Sequence, residues 1–101
     1  MTTKRFYRRR FLNRRGFHAG AYVIADCKVE TYRPQGGSPE YSVRAEITIA
    51  DCRRVVTIDF DVMDDADAQN SLDKARLLRD VLVDFTAALE AADENRRERQ
   101  H

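Results

Sequence analysis

The residues best equipped for chemistry in this sequence are five carboxylates within nine positions: Asp59, Asp61, Asp64, Asp65 and Asp67. Hard oxygens at that density are what Ca²⁺ or Mg²⁺ takes as ligands. The EF-hand loop, however, requires Gly at its sixth position and Glu at its twelfth. Counted from Asp59, those places hold Asp64 and Asn70. A structural role explains more of the run, as the outer face of a strand followed by a helix start whose dipole favours negative charge. Asp65 or Ser71 is the expected cap of that helix. Only two histidines occur, His18 and His101, and no Cys/His group has zinc spacing. Ser38, Ser42 and Ser71 lack a nucleophile context, and Gly36-Gly37 lies between strands as a turn rather than a phosphate loop. The expectation is a protein with no metal, no cofactor and no catalytic residues.

A second constellation is basic. Residues 1–15 carry Lys4, Arg5, Arg8, Arg9, Arg10, Arg14 and Arg15 and no acid, interleaved with Phe6, Tyr7, Phe11 and Leu12. The other residues hold eleven Lys/Arg against seventeen Asp/Glu, an excess of six acids hidden by the net charge of +1. Arginines neutralise phosphate and aromatic rings stack on bases, so the arm has the composition of a nucleic-acid contact. It is equally suited to an acidic protein surface, including the acidic run of its own or a second copy. The expected partner-binding residues are Arg5, Arg8, Arg9, Arg10, Arg14, Arg15, Tyr7 and Phe11.

Length and composition restrict the rest. A chain of 101 residues suits one small domain, and 35% charged residues imply a heavily charged surface. No apolar run approaches the ~18 residues of a membrane span. Arg8-Arg9-Arg10-Phe11-Leu12 resembles the twin-arginine export motif, but Tyr7 and Asn13 stand where that pattern has Ser or Thr and Lys. Export would also sacrifice a strand the fold needs, so a reducing, cytoplasmic setting is expected. Two cysteines, Cys27 and Cys52, do not make a disulfide framework.

The elements that must position these groups are legible from periodicity. Phe17 to Glu30 alternates apolar and polar, as does Tyr41 to Ile49, and Arg54, Val56, Ile58, Phe60 and Val62 share a face of a third strand. A loop over Thr31 to Glu40, with Pro34, Gly36, Gly37 and Pro39, separates the first two. A two-residue turn at Asp51-Cys52 would pair Ile47 with Val56, Ala45 with Ile58 and Val43 with Phe60, apolar against apolar. Cys27 then falls in the middle of the sheet as a buried residue, and Cys52 at the hairpin tip as an exposed thiol, too far apart to bond. From about Asp65 to Ala92 the period becomes helical, with Leu78, Leu82, Phe85, Leu89 and Ala92 on one stripe. Asp93 to His101 is polar and is expected to fray. Arg5 to Leu12 is expected as a partly ordered edge strand, turning through Asn13 to Gly16.

The order of an N-terminal segment, three antiparallel strands with a Gly/Pro loop, and a helix resembles the double-stranded-RNA-binding domain in topology. That family places phosphate-binding lysines at the start of its last helix, where this sequence has Asp64, Asp65 and Asp67. The resemblance therefore implies nothing about RNA here. The fold expected is α+β, two-layer: an antiparallel three- or four-stranded meander packed by one face on a long C-terminal helix. Its divisions are a basic arm at 1–15, a β-β-β-α domain at 16–93 and a polar tail at 94–101. The expected core is Val23, Ala25, Cys27, Val43, Ala45, Ile47, Val56, Ile58, Phe60, Leu78, Leu82, Phe85 and Leu89. The expected function is a non-catalytic protein-binding or adaptor module, with a homodimer plausible from the open sheet face. The alternative is a nucleic-acid-binding accessory protein using the arm.

Overall fold

A computed structural model gives the structure and describes residues 5–100, so Lys4 of the basic arm and His101 lie outside the described residues. Four strands and one helix follow in chain order: β1 (Phe6–Phe11), β2 (Ala21–Tyr32), β3 (Glu40–Asp51), β4 (Arg54–Asp59) and α1 (Asp65–Arg99). The strands form one antiparallel sheet in the order β1-β2-β3-β4. The chain is thus α+β, and the basic arm supplies the fourth strand. Two compact units divide it, one running through Ser71 and one from Leu72 onward.

β2 and β3 pair along their full lengths, from Ala21 opposite Asp51 to Tyr32 opposite Glu40. Their alternation puts Val23, Ala25, Cys27 and Val29 on one face with Ile49, Ile47, Ala45 and Val43. β2 starts at Ala21 rather than Phe17, which is 72% exposed. Residues 13–20 are used to reverse the chain, with Gly16 at φ 99°.

The β3–β4 register differs from the expected one by two residues. Asp51 faces Arg54, Ile49 faces Val56 and Ile47 faces Ile58, and Val43 bridges Val62 beyond the strand end. The turn is therefore Cys52-Arg53. A slip of two preserves facing, so apolar residues still meet apolar ones, and parity alone does not choose between the registers. Cys52 has φ 58° and Arg53 does not share it, the pattern of a type II′ turn in which Gly is the usual first residue.

Past β4 a carboxylate repairs the ladder. Phe60 N–H donates to the Ala45 carbonyl at 2.8 Å, while Ala45 N–H donates to Asp61 Oδ1 at 2.8 Å. Ser71 Oγ–H donates to the Asp61 carbonyl at 3.0 Å, tying the second turn of the helix to this corner. Ala45, Phe60 and Ser71 are all buried there. The helix cap is Asp64, whose Oδ1 accepts Asp67 N–H at 2.8 Å, rather than Asp65 or Ser71.

α1 runs seven residues past Ala92, correcting the expected frayed tail. Asp93 pairs with Arg96 at 2.9 Å and Arg97 at 3.2 Å, and Arg99 Nε donates to Asn95 at 2.8 Å. Such i, i+3 and i, i+4 pairs, with Arg96, Arg97 and Arg99 beside the negative helix end, sustain a polar last turn.

Among the described residues the buried apolar set is small: Ala21, Ala45, Ala50 and Phe60. Of the expected core, Val23, Ala25, Val43, Ile47, Ile58 and Leu78 are half-buried. Cys27, Val56, Leu82, Phe85 and Leu89 are exposed, correcting their assignment to the interior. No helix among the described residues is long and apolar enough to cross a membrane.

Candidate functional site

β1 places the basic arm along the edge of β2, Phe6 opposite Cys27 and Phe11 opposite Tyr22. Alternation then divides the arm between two faces. Phe6, Arg8 and Arg10 join the apolar face, as Arg8 lies opposite Ala25 and Arg10 opposite Val23. Tyr7, Arg9 and Phe11 lie on the opposite, polar face with Asp26, Ile24 and Tyr22. All six residues of β1 are exposed.

Arginine and ring residues two apart on a strand share a face, and three such pairs stack. Arg8 lies 5.0 Å from the Phe6 ring centroid, Arg5 5.1 Å from Tyr7 and Arg9 5.7 Å from Phe11. Arg5 also forks onto Asp26, Nε at 2.9 Å and Nη2 at 2.7 Å. Arg14 and Arg15 sit exposed in the turn beyond, where Phe17 N–H donates to the Arg14 carbonyl at 3.1 Å. Among the described residues, the strand of the arm and the strand that leads into the acidic run lie apart within one chain. β1 is one edge of the sheet and β4, with Asp59, is the other, so about 14 Å of sheet at ~4.8 Å per strand lies between them.

The Arg5–Asp26 fork sets a pH response. Hydrogen bonding from Arg5 holds the Asp26 carboxyl below its ordinary value, against the opposing effect of desolvation, and Asp26 likewise raises Arg5. A depressed folded value means the contribution is complete above the usual carboxylate range, near pH ~3.9. It is lost as pH falls through the lower folded value. Amide exchange of β1 is therefore expected to accelerate in wild type between about pH 5 and about pH 2 relative to the β2–β3 ladder. Arg5→Gln should remove that differential, and its persistence in the variant would show that another group controls β1.

The apolar face of the sheet is open at its edges, with Phe6 47%, Val29 38% and Val56 53% exposed. Separately, α1 carries Leu82, Phe85 and Leu89 at 51–60% exposure.

One grouping has no counterpart among the sequence expectations. His18, Asp51 and Cys52 bring one ligand atom each within 4.8 Å of one another. The β1–β2 loop and the β3–β4 turn lie at the same end of a meander, which is the signal in the strand order that joins residues 34 positions apart. Cys27 and Cys52 are both free and both exposed, so the expected burial of Cys27 is corrected while the exposed Cys52 thiol is as expected. No protein-family model, curated protein or solved structure matches the chain.

Proposed function

We propose that the protein is a small non-catalytic binding or adaptor module acting through protein contacts, self-association included, in a reducing cytoplasmic setting. The observation that carries this reading is the open apolar sheet face, where Val29 and Val56 stand exposed. Arg8 and Arg10 lie on the β1 side of that face. An apolar centre with a charged rim is the usual anatomy of a protein interface. Rim arginines add orientation and partner choice more than affinity. The exposed stripe of α1 offers a second apolar surface of the same kind.

The alternative, nucleic acid, is supported by the arginines and the rings they stack on along an exposed edge strand. The two readings separate in one experiment. Because residues 6–11 are a strand of the sheet, truncation would damage the fold, so the informative variant is Arg8→Gln/Arg9→Gln/Arg10→Gln. Sedimentation of wild type is expected to show mass rising with concentration, with no salt-steep affinity for short duplex DNA or single-stranded RNA. Under the alternative, nucleic-acid affinity would fall steeply with salt, and the triple variant would flatten that slope by about 0.9 per lost phosphate contact on duplex DNA.

A further inference from the structure

We infer that His18, Asp51 and Cys52 form a zinc-binding site at the end of the sheet where the β1–β2 loop meets the β3–β4 turn. It is independent of the adaptor reading. His18 Nδ1 lies 3.6 Å from Cys52 Sγ. With Zn–N near 2.05 Å, Zn–S near 2.3 Å and tetrahedral angles, the N···S edge of a zinc site is about 3.6 Å. The two donors thus stand at the separation of zinc ligands, and because Nε2 is also 3.9 Å from the sulfur, the exposed ring must turn about its side-chain bonds to aim Nδ1 at a shared ion. The Asp51 carboxylate completes a trio within 4.8 Å. Its edges to N and S in a tetrahedral site would be about 3.4–3.6 Å. Asp51 is exposed and is free to make that small rotation.

The surroundings hold the two loops together. Gly20 N–H donates to His18 Nδ1 at 3.3 Å. That bond is long and readily exchanged for a metal. Asn13 Nδ2 donates to the His18 carbonyl at 2.9 Å, fixing the backbone that carries the ring, and lies 3.2 Å from Nε2. Cys52 N–H donates to the Gly20 carbonyl at 2.8 Å. A Cβ on Gly20 would meet Cys52 Cα at 3.3 Å, so a larger residue there would push the two loops a few tenths of an ångström apart. Cys52 itself holds φ 58°, a conformation uncommon for a residue with a side chain, at a turn position where Gly would serve the fold better. Sulfur, imidazole nitrogen and carboxylate together suit Zn²⁺ rather than Ca²⁺ or Mg²⁺. On binding, the Cys52 thiol gives its proton to solvent and the fourth position is left for water.

Cobalt replaces zinc in such sites and reports thiolate ligation by a charge-transfer absorption. The full reduced chain titrated with Co²⁺ is expected to bind one ion, develop that band, and lose it on addition of Zn²⁺. Cys52→Ser should abolish the band, and His18→Ala and Asp51→Asn should each weaken affinity at least about tenfold. Gly20→Ala, which removes no ligand, should also weaken it by moving the loops apart. Cys27→Ser should bind like wild type. All three ligands are exposed, so each variant is expected to fold, and circular dichroism is the check on that. A band that survives Cys52→Ser or vanishes in Cys27→Ser, or equal affinities in wild type and His18→Ala, would overturn the site.

Discussion

Phe60→Ala is expected to be the most damaging single truncation in the sheet unit, at about 3–5 kcal/mol. Among the described residues Phe60 is the only large side chain in the buried apolar set, the others being alanines. An alanine truncated further loses little, whereas truncating Phe60 removes a whole buried ring. Its backbone is pinned, N–H to the Ala45 carbonyl at 2.8 Å, and Val62 beyond it exchanges two bonds with Val43 at 2.8 and 2.9 Å. The site therefore cannot collapse freely onto the cavity, which places the cost toward the upper part of the range. Small domains have about 5–15 kcal/mol in total, so this one change removes a large share. Urea unfolding followed by circular dichroism measures it as a fall in midpoint. Phe60→Leu, which retains most of the volume, should cost less than about 1.5 kcal/mol. Equal losses from both variants would mean that ring shape, not filled volume, is what the corner requires.

That corner also shows what can be read from sequence and what cannot. Alternation identifies both faces of β2 and β3, because a half-buried strand imposes period two on its side chains. It does not fix the β3–β4 register, because a slip of two residues keeps every side chain on its face. What selects the register is the Cys52 conformation and the use of Asp61 as a ladder acceptor, neither of which has a periodic signature. The helical stripe of Leu82, Phe85 and Leu89 is visible, but a stripe states what a helix can bury and not whether this chain buries it. Within the acidic run the structural roles differ residue by residue, Asp61 completing the ladder and Asp64 capping the helix, and composition does not distribute them. The arm is legible as an ordered edge strand because a disordered tail seldom carries four large apolar side chains. Asp26, the partner of Arg5 at the start of that strand, is hidden among the polar positions of β2. The His18, Asp51 and Cys52 group is hardest to see, since its members come from two loops and share no spacing motif.

Val56→Glu is expected to weaken self-association by at least about 100-fold, equivalent to about 2.7 kcal/mol. It should leave the unfolding midpoint of the isolated chain nearly unchanged. The two halves of that prediction follow from one number. Val56 is 53% exposed in the free chain, so a glutamate there keeps its carboxylate in water, and surface changes of this kind stay within about ±0.5 kcal/mol. In a complex that covers the apolar face, the same carboxylate would lose its solvent opposite Ile49, with Arg54 two residues away at the rim. An unpaired buried charge is among the costliest changes an interface can suffer. Sedimentation across a concentration series reads the first half and thermal unfolding the second. Phe85→Glu makes the same test on α1, where the residue is 60% exposed. Loss of association in Val56→Glu alone assigns the contact to the sheet face, and loss in Phe85→Glu alone assigns it to the helix. If both variants associate as wild type does, neither apolar surface is the contact, and exposed hydrophobic area is not what brings two copies together.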